Sequence, residues 1–297
     1  MNKENTRSII AVVIVVLIAA GLAFAGSQGG YKIASFPIYA LCIAVAFIIQ
    51  WIVFIPSYLN RTEKFYDITG SLTYLTVLVI AVILTPTVDA RSYLLFGLIA
   101  VWAVRLGSFL FLRIRAAGED RRFREIKQSF GRFLLAWTLQ GLWISFSLAA
   151  ALAAITSTLR LDLDLFAILG AFIWLTGFLI EVIADRQKSS FNAKPENKGK
   201  FISTGLWSWS RHPNYFGEIV LWIGIAVIAL PILRGWQWVT LISPIFTFIL
   251  LTRISGIPML ENRADEKWGG QPEYEAYKSG TSILIPMPPS TQKQGEK

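Results

Sequence analysis

The residues best equipped for chemistry lie in one short run: Arg211-His212-Pro213-Asn214-Tyr215-Phe216-Gly217-Glu218, which leads straight into the apolar segment Ile219 to Leu230. A guanidinium, an imidazole, an amide, a phenol and a carboxylate at the mouth of a membrane helix are costly in lipid and mark a functional site. Together they can pair with an anion, orient a ligand by hydrogen bonds and move a proton. Pro213 suits the first turn of a helix, because the hydrogen-bond donor it lacks is unused there. The helix therefore starts near Pro213, with Asn214 and Glu218 four residues apart on one face and Tyr215 beside them.

Several chemistries are disfavoured by what surrounds this run. His212 is the single histidine and Cys42 the single cysteine, so there is no zinc or di-iron spacing, no intrachain disulfide and no redox pair; no metal site is expected. No Gly-x-Ser-x-Gly elbow and no Gly-x-Gly-x-x-Gly turn occurs, which argues against a serine hydrolase and a Rossmann nucleotide site.

Further polar groups fall inside or at the ends of apolar segments. Asp67, Ser71 and Tyr74 share a helix face by their spacing. Arg105 lies mid-segment and needs a carboxylate, a carbonyl or a hydrated cavity, since its charge costs at least ~2.5 kcal/mol in a bilayer. Gln140 can tie helices together or meet a substrate. Glu181 and Asp185 are four apart near the end of the sixth segment, and Arg253 follows the eighth, with Glu261, Arg263, Asp265 and Glu266 beyond it.

These groups must be positioned by an all-α, polytopic membrane bundle. Of the 297 residues 54% are hydrophobic, and eight apolar segments can be marked at 8–26, 36–56, 68–88, 92–112, 133–156, 165–184, 215–233 and 236–252. Each is long enough to span a hydrocarbon core of ~30 Å, and no strands are expected. With eight spans, 23 of the 28 lysines and arginines lie on one side of the membrane and 4 on the other. This asymmetry predicts that both termini are cytoplasmic, in a bacterial inner membrane or the endoplasmic reticulum. It also assigns the net charge of +9 to loops and membrane lipids rather than to nucleic acid. The first segment has a short basic start and Ala23-Phe24-Ala25, features of a signal peptide, but its length favours a retained span. Two loops are rich in charge, 113–132 and 185–210; the second is basic, turn-rich and long enough to fold over a ligand. Three stretches are expected: N-terminal spans at 1–59, a catalytic membrane domain at 60–286 and a disordered tail at 287–297.

Ser210-Arg211-His212-Pro213-Asn214-Tyr215-Phe216-Gly217-Glu218, with Ala184-Asp185-Arg186-Gln187 upstream and Gly256-Ile257-Pro258-Met259-Leu260-Glu261 downstream, resembles the DUF1295 family. That family stands in the membrane superfamily of steroid 5-alpha-reductases, sterol reductases and isoprenylcysteine carboxyl methyltransferases. The resemblance covers residues 60 to 286 and implies a seven-helix reductase-like core to which the first span is added. Asn214 followed by Glu218 is similar to the reductases, whereas the methyltransferases share Arg-His-Pro-x-Tyr without that carboxylate. The resemblance therefore implies NADPH, held by Asp185, Lys200, Arg211, His212, Asn214, Glu218, Arg253, Glu261 and Arg263, and a lipidic substrate with an activated C=C bond. S-adenosylmethionine is the alternative cofactor, and a non-enzymatic scaffold or transporter with an internal Asp67–Arg105 pair is a third reading. The Gln-Glu pair of the steroid reductases' early spans is missing from the second segment. Asp67, Tyr74 and Tyr215 are then the catalytic candidates by chemistry, with Arg105 and Gln140 on the substrate.

Overall fold

The computed structural model describes residues 3–288, so the tail expected to be disordered lies almost wholly outside the described residues. Ten α-helices follow one another: α1 (Lys3–Gly26), α2 (Ile38–Leu59), α3 (Tyr66–Leu84), α4 (Ala90–Ala117), α5 (Phe130–Ile155), α6 (Leu165–Ala193), α7 (Pro213–Ala229), α8 (Ile242–Ile249), α9 (Ile257–Trp268) and α10 (Pro272–Gly280). Among the described residues, eight helical stretches are long and apolar enough to cross a bilayer, and the protein is an integral membrane protein with an all-α fold. The chain packs as two units, Met1–Ile168 with Ile225–Ser243, and Leu169–Gly224 with Pro244–Lys297.

The first unit is built around α5. Its second half is rich in alanine and serine, and every residue from Ser147 to Ile155 is buried. Small side chains let helix backbones approach closely, which is how helices associate where lipid is as apolar as leucine. Buried polar contacts then fix the arrangement: Gln50 Nε2 donates to Thr73 Oγ1 at 2.8 Å, and Trp51 Nε1 donates to Thr138 Oγ1 at 3.1 Å. Gln140 is such a tie, its amide donating to the Tyr66 carbonyl at 3.1 Å while the Tyr66 hydroxyl donates to the Ala136 carbonyl at 2.9 Å. The start of α3, and Asp67 with it, is thereby clamped to α5.

The charged loop after α4 is docked and not simply solvated. Phe123 is buried among Phe54, Phe133 and Trp137, with its ring 4.7 Å from that of Tyr66. The buried Glu63 carboxylate accepts from Lys127 Nζ at 2.6 Å and from the Asp120 backbone N–H at 3.0 Å. Burial opposes the charge of Arg122, but its hydrogen bond to Asp120 and the carboxylates of Asp120 and Asp67 outweigh that and raise its pKa.

Three expectations need correction. Two short strands do form, β1 (Lys32–Ile33) and β2 (Phe36–Pro37), an antiparallel hairpin whose turn holds Ala34 and Ser35 at positive φ. The basic loop is shorter than the sequence suggests, because α6 continues through Asp185 to Ala193; its final turns are polar but contain no helix breaker before Pro195. The eighth apolar segment is not one regular helix. It runs as a 3₁₀ stretch (Gly235–Leu241), then α8, then a wide π-type turn (Leu250–Ile254) that carries Arg253.

Candidate functional site

Glycines bring the motif against α6. A Cβ on Gly217 would lie 2.6 Å from the backbone nitrogen of Glu181 and 2.6 Å from the Gly177 carbonyl oxygen. One on Gly224, two turns along α7, would lie 2.5 Å from the Trp174 nitrogen. Such contact of backbone with backbone is open only to glycine. It sets the first turns of α7 beside the Glu181–Asp185 turn of α6, and Asn214 Nδ2 donates to Asp185 Oδ1 at 3.2 Å. Glu181, Asp185 and Glu218 are all buried. Three carboxylates within this wedge of two helices, with Asn214 held by one of them, form a concentrated polar site in an otherwise apolar pair.

The second half of the site comes from far along the chain. Glu261 on α9 takes both of the residues that precede Pro213: one carboxylate oxygen pairs with Arg211 Nη1, and the other lies 2.7 Å from His212 Nε2. The backbone around them is fixed from both sides. Ser210 Oγ donates to the Leu284 carbonyl at 2.8 Å and accepts the His212 N–H at 3.1 Å, and the Arg211 N–H donates to the Ser282 carbonyl at 2.8 Å. The Tyr277 hydroxyl donates to the Trp207 carbonyl at 2.7 Å, while Trp207 Nε1 donates to the Ala184 carbonyl at 3.0 Å. The segment before the motif is thus pinned between α6 and the C-terminal helices. Gly205, at φ +63°, makes the turn that places Leu206 N–H on Gln187 Oε1 at 3.0 Å.

The electrostatics of the Glu261 clamp define the state of the imidazole. A carboxylate only accepts, so in the neutral ring Nε2 carries the proton and Nδ1 is left as an acceptor. Burial lowers the His212 pKa and outweighs the opposing effect of Glu261. His212 Nδ1 and Arg211 Nε are both buried without a hydrogen-bond partner among the described residues. Each such group costs ~1–3 kcal/mol when unmet, so a ligand that supplied a donor and an acceptor here would be favoured. His212 also stacks on Tyr215, with ring planes 11° apart and centroids at 5.7 Å.

The depressed pKa has a measurable consequence. Below the unfolded value of ~6.5 the unfolded chain binds a proton at this histidine that the folded chain resists. The His212 contribution to stability is therefore present above pH ~6.5 and is lost as pH falls toward the folded pKa. Thermal unfolding in detergent across pH 5 to 8 should show a decline on the acid side that His212→Gln reduces. An unchanged acid limb in the variant would remove His212 from this role.

The sequence-based candidates divide between the two units. Asp185, Arg211, His212, Asn214, Tyr215, Glu218 and Glu261 come together in the second unit, as described. Lys200, Arg253 and Arg263 belong to the same unit and are exposed. Asp67, Tyr74, Arg105 and Gln140 belong to the first unit. There Tyr74 is buried edge-on against Trp102, with ring centroids at 5.2 Å, and the Arg105 guanidinium lies over the Phe109 ring at 5.4 Å. Sequence reasoning missed Ser210, whose hydroxyl accepts the His212 N–H, and Tyr277, whose hydroxyl holds the segment before the motif. The only available signal was a serine directly before Arg211.

Comparison with known proteins gives a family and a set of distant relatives. The chain is 30% identical over 119 residues to 3-oxo-5-alpha-steroid 4-dehydrogenase 1 of Bos taurus, covering 40% of each chain. It is 29% identical over 122 residues to steroid 5-alpha-reductase DET2 of Arabidopsis thaliana, covering 40% of this chain and 41% of that one. The chain thus spans about 40% of the length of the curated relatives it matches. No solved structure matches it. The family model described as "Protein of unknown function (DUF1295)" matches residues 53–281, which include the whole Arg211–Glu218 motif and its Glu261 clamp, and the chain belongs to the DUF1295 family.

Proposed function

We propose that the protein is an NADPH-dependent membrane reductase of a lipidic, activated C=C bond, such as that of an α,β-unsaturated ketone. The observation that carries this reading is the buried wedge in which Asp185 holds Asn214 beside Glu181 and Glu218, next to the Glu261 clamp on Arg211 and His212. The similarity to two steroid reductases supports the same class.

The residues present fit such a cofactor. Arg211 Nε offers a buried donor and His212 Nδ1 a buried acceptor, and neither is met by the protein among the described residues. Lys200, Arg253 and Arg263 add exposed cations suited to phosphates. NADPH, when bound, supplies the hydride. The chain's own part is to orient and to move a proton. Asn214, its amide fixed by Asp185, presents its remaining groups in a set direction, and Glu218 completes that side of the site. The Tyr215 phenol donates a hydrogen bond to the substrate oxygen as negative charge builds there and then gives up its proton. A low-water setting within the bilayer keeps that proton transfer specific. Both termini would face the cytoplasm, and residues 60–286 would form the catalytic domain.

Thermal unfolding of the detergent-purified protein with NADPH or with S-adenosylmethionine tests the assignment. A ligand at ~100 times its Kd stabilises the native state by ~2.7 kcal/mol. A rise in Tm with NADPH alone, diminished in Glu218→Gln, is the expected result. Stabilisation by S-adenosylmethionine alone would overturn the reductase reading in favour of methyl transfer.

A further inference from the structure

A hollow in the first unit shares no residue with the carboxylate wedge. It lies between α1 and α2, encloses about 750 Å³ and is lined almost entirely by apolar groups. That volume falls in the ~300–1,000 Å³ range of ligand pockets. Small side chains leave room between larger ones: Ala19, Ala20 and Ala23 on α1 and Ala40 and Ala44 on α2 line it, with Phe24, Phe47 and Trp51 around them. Yet α1 is held firmly at both ends. Near its start, Asn5 Oδ1 accepts from Ser129 Oγ at 3.1 Å. At its end, Gly26 sits directly against the Tyr39 ring, and Gln237 Nε2 donates to the Gly26 carbonyl at 3.4 Å. The space is therefore built into the fold and cannot close by a simple shift of α1.

Its mouth has a different chemistry from its floor. Lys32, on β1 of the hairpin, is the single charged residue of the lining and is exposed. Phe36 and Trp236 flank it, both exposed, as aromatic residues are at the level of lipid headgroups. The hairpin turn holds Ala34 and Ser35 in the left-handed region, and its register pairs Lys32 with Pro37 and Ile33 with Phe36. An apolar slot topped by one cation beside exposed aromatic rings matches one kind of molecule: a membrane lipid with its chains in the slot and an anionic head on the lysine.

We propose that this hollow is a seat for an anionic phospholipid, with Lys32 reading the headgroup charge. Every lining residue except Trp236 precedes residue 53, where the family match begins. The seat thus lies almost wholly ahead of the family match and shares no residue with the Arg211–Glu218 motif. Its occupant acts as a structural lipid that fills the gap between α1 and α2.

Native mass spectrometry of the delipidated, full-length protein titrated with phosphatidylglycerol or phosphatidylcholine of identical chains tests this. One phosphatidylglycerol should bind with about a fivefold preference over phosphatidylcholine, the discrimination expected of one basic residue at a headgroup. Lys32→Glu should abolish or invert the preference, and Lys32→Arg should keep it. Ala44→Phe, which fills the slot, should remove the bound lipid of either kind. Because that variant could also misfold, the Lys32 pair supplies an independent reading on a surface residue. Equal affinity for the two lipids, or a preference unaltered in Lys32→Glu, would overturn the proposal.

Discussion

Gly217→Ala is expected to destabilise the protein by at least ~1–3 kcal/mol and to erase any rise in Tm caused by NADPH. The new methyl group would lie 2.6 Å from two backbone atoms of α6, at Glu181 and Gly177. Side chains can rotate away from an intruder, whereas backbone inside a helix cannot, so the two helices must part. Parting them moves Asn214 away from Asp185 and opens the buried carboxylates to their surroundings. Gly177→Ala should act in the same way, since its methyl group would meet the Gly217 carbonyl and the Leu221 nitrogen at 2.5 Å. Gly21→Ala is the control: nothing lies within 4 Å of that position, and alanine is the better helix former. Thermal unfolding in detergent, with and without NADPH, reads all three. A Gly217→Ala protein as stable as the Gly21→Ala control would show that the close crossing of α6 and α7 does not hold the site.

Glu261→Ala is the second large effect. Arg211 and Glu261 are both mostly buried, and the same carboxylate also meets His212. Removing it leaves a guanidinium with its counter-charge gone, a change that costs ~3–5 kcal/mol for a fully buried pair. The loss should approach the lower end of that range, because some solvent reaches both groups. A second substitution separates the cost of an orphaned charge from the worth of the pair. Arg211→Gln combined with Glu261→Gln should be more stable than Glu261→Gln alone, since no unpaired charge then remains. Equal or greater damage in the double variant would assign the effect to lost packing.

Much of this arrangement was legible in the sequence, for identifiable reasons. Pro213 announced the start of α7, because proline is tolerated in a first helical turn and disruptive further in. The four-residue spacings of Asn214 with Glu218, and of Glu181 with Asp185, assigned each pair to one face before any coordinates. Spans and their number followed from apolar length. What stayed hidden was pairing over distance. Nothing local marks Glu261 as the partner of Arg211 and His212, since a carboxylate in a run with Arg263, Asp265 and Glu266 reads as an ordinary charged helix. The end of α6 was misjudged because the expectation stopped where hydrophobicity stopped, while helical propensity carried on to Ala193. Gln140 shows the converse: both of its roles were foreseen, and the structure gives it the interhelical tie.

The long reach of the clamp also bears on how the protein is made. Arg211 and His212 leave the ribosome about 50 residues ahead of Glu261 and about 70 ahead of Ser282, the groups that hold them. At ~5–20 residues per second, α7 would wait several seconds with its cation uncompensated at the membrane surface. The contacts that hold Arg211 and His212 therefore form only after α9 and the segment around Ser282 have been made. An insertase or chaperone that shelters a basic helix entrance would be needed most in that interval.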